Sequence, residues 1–326
     1  MVRTGPRARA GDPDAGAVPG EPGTSPTRSR DDGAAASSGA AARWSSAVAA
    51  SRAAESRRLP SYAAGSVDVP YTILGGQEII ARDTFWAEHS HPTHELLWNE
   101  RGVSTATIGR RVWTITPGVG LWIPAGMPHS GFTPAGVWHR AAQFSTARVD
   151  PPSTAPVAVD ITPLLRLLLD RLISEHLRPR SREVTDAMIL DVLAPSEHEL
   201  LLPVPDHPLL APIIDALSTD PADATTLEQW AGRLGVSSRT VTRTFEAATG
   251  MSFRAWVSTA RAQRAVALLA AGETIEEVAL RVGFRSTSAF TAAFRRVTGL
   301  TPGQHRRESP PLGASTPEPA APSHAP

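Results

Sequence analysis

The 326-residue chain contains no cysteine, which excludes disulfides, zinc ribbons and thiol catalysis. It contains no lysine either, so all 32 basic residues are arginine. With 25 Gly and 30 Pro and abundant Ala, this bias fits a high-GC genome better than a choice of one partner. No apolar run approaches the roughly 20 residues needed to cross a bilayer. The N-terminal arginines have no apolar stretch behind them, so no secretory signal and a cytoplasmic protein are expected.

Net charge is zero, but it is unevenly distributed. Residues 227–307 hold 12 Arg against 5 acidic residues, and the remainder holds 20 Arg against 27. A basic C-terminal module thus sits on an acidic chain, as expected for something that meets phosphates.

Residues 1–60 are rich in Ala, Gly, Pro, Ser and Arg with almost no large apolar residue, and are expected to be a disordered tail. Residues 308–326 are a Pro-rich tail of the same kind. From Tyr71 to Phe144, short runs such as YTILGGQEII, HELLWNE and RVWTITP sit between Gly and Pro breaks. They suggest an all-β barrel or sandwich over residues 61–150. Five of the eight tryptophans lie there: Trp86, Trp98, Trp113, Trp122 and Trp138. Residues 151–205 turn helical and are expected to connect the domains and pack on the barrel. Their apolar surface leaves two readings, a homodimer contact or packing within the chain alone.

Between Thr226 and Arg307 one plan occurs twice. Leu227, Trp230, Ala231 and Leu234 fall on one helix face. Gly235 can take the positive φ of a tight turn, Val236 plugs the gap, and Ser237 caps a second helix. There Val241 and Phe245 face inward, leaving Arg239, Thr242 and Arg243 outward. In the second unit Ile275, Val278, Ala279 and Val282 form the first face. Gly283 turns, Phe284 plugs and Ser286 caps. Phe290 and Phe294 then pack inward, leaving Arg285, Thr287, Ser288, Thr291 and Arg295 exposed. Short polar residues and Arg suit a helix in the major groove. The bland alternative, helix pairs that merely pack, is disfavoured by the repetition and the local charge. A connector of about 20 helical residues spans roughly 30 Å, near the ~34 Å between successive major-groove faces.

Residues 206–307 resemble the DNA-binding domain of the AraC/XylS family of transcription regulators. The resemblance runs through Leu227, Ala231, Val236, Ser237, Arg243, Phe245, Gly250, Trp256, Arg261, Ala265, Ile275, Ala279, Gly283, Phe290, Gly299 and Pro302. Ala262 stands where Leu is usual and His305 where an aromatic is usual. The resemblance implies a sequence-specific binder of double-stranded promoter DNA, often an activator that touches RNA polymerase.

In the β region, His89, His91 and Glu95 form H-x-H-x3-E, and Gly118, Pro124, Gly126 and His129 form G-x5-P-x-G-x2-H. Two histidines at i, i+2 on a strand face one side. With Glu95 and His129 they make a set suited to a divalent transition metal. The pattern is similar to the two-part cupin motif, departing at Asp83 and Thr133. Three readings stay open: a metal centre, a metal-free pocket for a small-molecule effector, and residues that only brace turns. The tryptophans fit either a stacking platform or core.

The expected protein is multidomain: an all-β cupin-like domain, a helical connector, and an all-α domain of two helix-turn-helix units. The leading function is a ligand-responsive transcription activator with no required cofactor, no catalytic residue and no membrane. The alternatives are a metal-dependent cupin oxygenase or isomerase with a DNA-binding appendage, and a sequence-neutral architectural DNA binder.

Overall fold

The computed structural model describes residues 40–41, 44–45, 54–174, 176–309 and 312. Its β domain consists of two sheets. One has six strands in the order β1 (Glu55–Arg57), β3 (Thr84–His89), β8 (His129–Thr133), β5 (Ser104–Ile108), β6 (Arg111–Ile115) and β11 (Leu201–Pro203). The other has five, in the order β10 (Val157–Asp160), β7 (Val119–Ile123), β4 (His94–Arg101), β9 (Trp138–Phe144) and β2 (Ile73–Ile79). The pairings are antiparallel except for β1 on β3.

Strand β4 shows why the pattern HELLWNE is nearly continuous rather than alternating. Leu97 points into a cluster between the sheets with Ala106, Trp113, Ile115 and Leu121. Leu96 and Trp98 point the other way, against Leu165, Leu168, Leu169, Leu172 and Ile189. Those residues belong to helices α1 (Pro163–Ser174) and α2 (Pro179–Val192), which cover the outer face of the five-stranded sheet. A strand buried on both faces needs apolar residues on both. The middle helices therefore pack on the β domain, as expected, but segment 151–205 is not purely helical. Its ends return to the sheets as β10 and β11, because β7 and β6 offer backbone partners at the sheet edges.

The C-terminal domain holds α3 (Ala211–Thr219), α4 (Leu227–Leu234), α5 (Ser238–Thr249), α6 (Phe253–Ala270), α7 (Ile275–Arg281), α8 (Thr287–Thr298) and α9 (Pro302–Glu308). Helix α6, 18 residues and about 27 Å long, carries a helix pair at each end. Its Trp256 and Ala260 join a core with Trp230, Val241 and Phe245. Its Leu268 and Leu269 join a second core with Val278, Phe290 and Phe294. Both cores reach the β domain, through Val112 and Leu202 in the first and Val103 in the second.

The expected tails fall mostly outside the described residues. Where described, the first differs from expectation. Ala40–Ala41 and Trp44–Ser45 are helical, and the Trp44 ring packs edge-to-face on Trp256 at 5.1 Å. Glu55–Arg57 pairs in register with Thr84–Trp86. One buried tryptophan and one edge-strand partner suffice to order pieces whose composition lacks an apolar pattern.

Trp256 is fully buried and donates through Nε1 to the Pro203 carbonyl at 2.6 Å. Trp256→Ala is expected to lower stability by about 3–5 kcal/mol, read as a fall in the urea midpoint. An unchanged midpoint would mean that this junction is not a packed core.

Candidate ligand cavity and nucleic-acid interface

The four singled-out residues of the β domain converge. His89 ends β3, His91 follows it, Glu95 lies on β4 and His129 opens β8. The histidines have ring centroids 4.3–5.4 Å apart. Each offers a ring nitrogen within 4.8 Å of the others. Glu95 sits beneath them, with Oε2 3.3 Å from His129 Nε2 and Oε1 3.5 Å from His91 Nε2.

The ring orientations are set locally. His89 Nδ1 lies 2.7 Å from the Ala87 carbonyl and His129 Nδ1 3.0 Å from that of Met127. A carbonyl only accepts, so each Nδ1 carries the proton and each Nε2 turns inward. Glu95 is fixed from behind by Gln143, whose Nε2 donates to Oε1 at 2.7 Å. Gln143 in turn accepts from Thr93 Oγ1 at 2.5 Å. No sequence motif marks Gln143; it is found through the register that pairs it with Glu95. His94, inside the same motif, faces away. It stacks on Trp122 at 5.3 Å and accepts from the Ala125 amide.

Electrostatics separate the members of the cluster. For Glu95, burial works to raise the pKa, but the hydrogen bond from His129 and the nearby imidazoles overcome it and hold the carboxyl at about 2. For His129, burial works downward, yet the hydrogen bond and charge of Glu95 leave its pKa raised. His89 is lowered to about 4, first by burial and then by the charge of His129. His91 is lowered, chiefly by burial. Protonated His129 can donate to Glu95 Oε2, but with His129 neutral and its proton on Nδ1 that buried oxygen has no hydrogen-bond partner. With His129 neutral, two lone pairs face one another across 3.3 Å. A proton or a cation between them removes that conflict.

This cluster forms one end of a cavity of about 270 Å³ between the sheets. The remaining walls include Trp86, Leu97, Thr105, Ile115 and His139. Among the described residues, Glu78 and Glu95 are its carboxylates and no arginine lines it. Among the described residues, Trp86 is the one tryptophan on the cavity. Trp98 and Trp122 are core under the helices, and Trp113 lies between the sheets.

The two helix-turn-helix units show the same local chemistry. Thr226 with Gln229 and Thr274 with Glu277 form capping boxes at the starts of α4 and α7. Gly235 and Gly283 take φ of +66° and +83° in the turns. Ser237 and Ser286 accept from Thr240 and Ala289 amides to cap α5 and α8. A side chain at Gly283 would also meet Ala222 Cα at 3.0 Å. Phe245 and Phe290 are buried. Arg239, Arg243, Arg285, Ser288 and Arg295 are exposed, and Thr242, Thr287 and Thr291 half-buried. All eight expected contact residues thus have surface on α5, on α8 or in the turn before it.

Residues 74–189 match the family described as "AraC-like ligand binding domain", and residues 230–308 that described as "Helix-turn-helix domain". The chain is 28% identical over 221 residues to the HTH-type transcriptional regulator NimR of Escherichia coli K12, covering 67% of this chain and 81% of that protein. It is 35% identical over 213 residues to the HTH-type transcriptional regulator RipA of Corynebacterium glutamicum, covering 64% of this chain and 60% of that one. Among solved structures, ToxT from Vibrio cholerae matches at 11% identity and a TM-score of 0.32, covering 74% of this chain and 100% of ToxT. The curated relatives are transcription regulators, not enzymes.

The shifts set a pH signature for chelator-treated protein. Glu95, ordinarily near 4.5 and here about 2, contributes stability present above about 4.5 and lost as pH falls toward 2. His89, ordinarily 6.5 and here about 4, favours the neutral form, so stability also falls as pH drops from 6.5 through 4. His129, raised, contributes stability that is full below 6.5 and fades as pH rises through its folded value. Glu95→Gln is expected to bring the His129 titration below its wild-type position, read by histidine ring NMR. An unmoved His129 titration would show that Glu95 does not hold its proton.

Proposed function

Because the chain belongs to the AraC family of transcription regulators, we propose that it is a cytoplasmic, ligand-responsive activator whose helices α5 and α8 read two successive major-groove segments of promoter DNA. The observation that carries this reading is the repeated capped unit. Two helices expose arginine and short polar side chains, and both are anchored to one connector helix. Arg239, Thr242 and Arg243 on α5 serve one segment. Arg285 at the turn, with Thr287, Ser288, Thr291 and Arg295 on α8, serves the other. Arginine pairs guanine edges, while phosphate contacts set register and make binding salt-dependent. RNA polymerase is the expected partner of the DNA-bound protein. The exposed Leu164, Leu167, Val184 and Met188 of α1 and α2 support a homodimer through the helices that cover the β domain.

The effector enters the cavity beside His89, His91, Glu95 and His129. Three inward imidazole nitrogens and a carboxylate with an unpartnered oxygen fit a divalent transition metal. Such an ion would be held by these four residues, and when bound it supplies positive charge and a point of attachment for an effector donor atom. Gln143 holds the carboxylate, and the Ala87 and Met127 carbonyls hold the imidazole tautomers.

Arg243→Ala and Arg295→Ala are each expected to cost about 1–3 kcal/mol of operator binding, measured by footprinting with folding checked by circular dichroism. Unchanged footprints for both variants would sink the assignment. For the metal, His129→Ala is expected to abolish stoichiometric Mn²⁺ or Zn²⁺ binding in calorimetry. A wild-type protein that takes up neither ion leaves the cavity to a metal-free effector.

A further inference from the structure

A second concavity lies where the two domains meet. It is a groove of about 710 Å³ between the β6–β11 edge, the start of α6 and the later part of α8. Three guanidinium groups line it, from three separate elements: Arg111 on β6, Arg254 on α6 and Arg296 on α8. All three residues are exposed, and none has a hydrogen-bond or ion-pair partner among the described residues. Several arginines of the β domain are paired. Arg57 binds Glu78, and Arg140 and Arg166 share Glu100. Among the described residues, the one carboxylate in the groove, Glu199, accepts from Trp113 Nε1 at 3.3 Å and is bridged to no arginine. The neighbouring Arg261 is spoken for by the Pro221 and Asp223 carbonyls.

Three like charges around one concavity repel, and the single carboxylate there, Glu199, can offset only one of them. A single carboxylate would answer one guanidinium. A phosphate, with several acceptor oxygens and more than one negative charge, matches forked donors arriving from several sides. We propose that this groove binds phosphate groups, with Arg111 of the ligand-binding domain acting beside Arg254 and Arg296 of the DNA-binding domain. The phosphates come either from the DNA backbone or from a free polyanionic phosphate compound. In both cases the bound anion ties the domains together, because its partners lie on both.

Arg111 is the discriminating position, since it lies outside the helix-turn-helix units and a purely helical DNA interface makes no use of it. The experiment uses the full chain with Arg111→Ala, Arg111→Lys and Arg254→Ala, each checked by circular dichroism. Binding to a random-sequence duplex is measured by anisotropy across a salt series. Melting is followed with tripolyphosphate against sodium chloride at equal ionic strength. If the phosphates are those of DNA, Arg111→Ala lowers the slope of log K against log salt by about 0.9, and Arg111→Lys largely keeps it. If they belong to a free compound, tripolyphosphate raises the wild-type Tm, Arg111→Ala and Arg254→Ala lose that shift, and the salt slope stays at its wild-type value. The proposal is overturned if Arg111→Ala leaves the salt slope unchanged and, in addition, either wild type shows no tripolyphosphate shift or Arg111→Ala retains it. This outcome is separable from failure of the major-groove reading, which rests on Arg243 and Arg295.

Discussion

Helix α6 binds the β domain through backbone carbonyls, and the remaining architecture depends on that seat. Trp256 donates to Pro203, and Gln263 donates to Val112 at 3.0 Å and Leu200 at 3.3 Å. Gln263 is buried, and its oxygen accepts from Trp44 Nε1 at 3.4 Å. A buried amide with partners from three chain segments is costly to displace, since each broken bond leaves a dry polar group. The same helix carries one core at its start and another at its end. The register of α6 on the sheet thereby sets where α5 and α8 stand relative to the cavity.

The ends of the helices are as constrained as their middles. Each unit uses a threonine capping box, a left-handed glycine and a serine cap in the same order. These local devices fix the angle between paired helices without help from distant residues. The units differ in surroundings. Around Gly235 there is open space, whereas Gly283 packs on Ala222 and the Arg261 guanidinium. Arg261 holds the loop before α4 through Pro221 and Asp223. The turn of the second unit is therefore tied to the entry of the first.

The helix-turn-helix units were readable because their determinants are local: a 3.6-residue period, a turn glycine and a cap. The histidine set was readable because His89 and His91 are two apart, and the cluster confirms the convergence of all four residues. Gln143 was not readable, since its role depends on which strand pairs with β4. Trp44 was hidden for the opposite reason. Its neighbours lack any apolar pattern, and its burial depends on Val112 of β6 and Trp256 of α6. The strands within residues 151–205 were missed because β10 and β11 are short edge strands, whose identity lies in the partners they complete. Arg111 gave no signal at all, because a groove shared by two domains has no footprint in either segment alone.

Strand β5 links the two ends of the molecule. Thr105 lines the cavity between the sheets and also a gap of about 30 Å³ that Gln263 and Ala267 of α6 line. Its hydroxyl is buried without a partner. Protein interiors are packed too tightly for such a wall to bend freely. A shift of β5 toward the helix meets the small gap, then the amide of Gln263 and the carbonyls it holds. The gap is far smaller than a side chain, so it can absorb only a slight movement before α6 must respond. Coupling between cavity and helix therefore requires no flexible loop. It requires that a bound molecule change the position of β5, whose residues Ser104, Thr105 and Ala106 line the cavity.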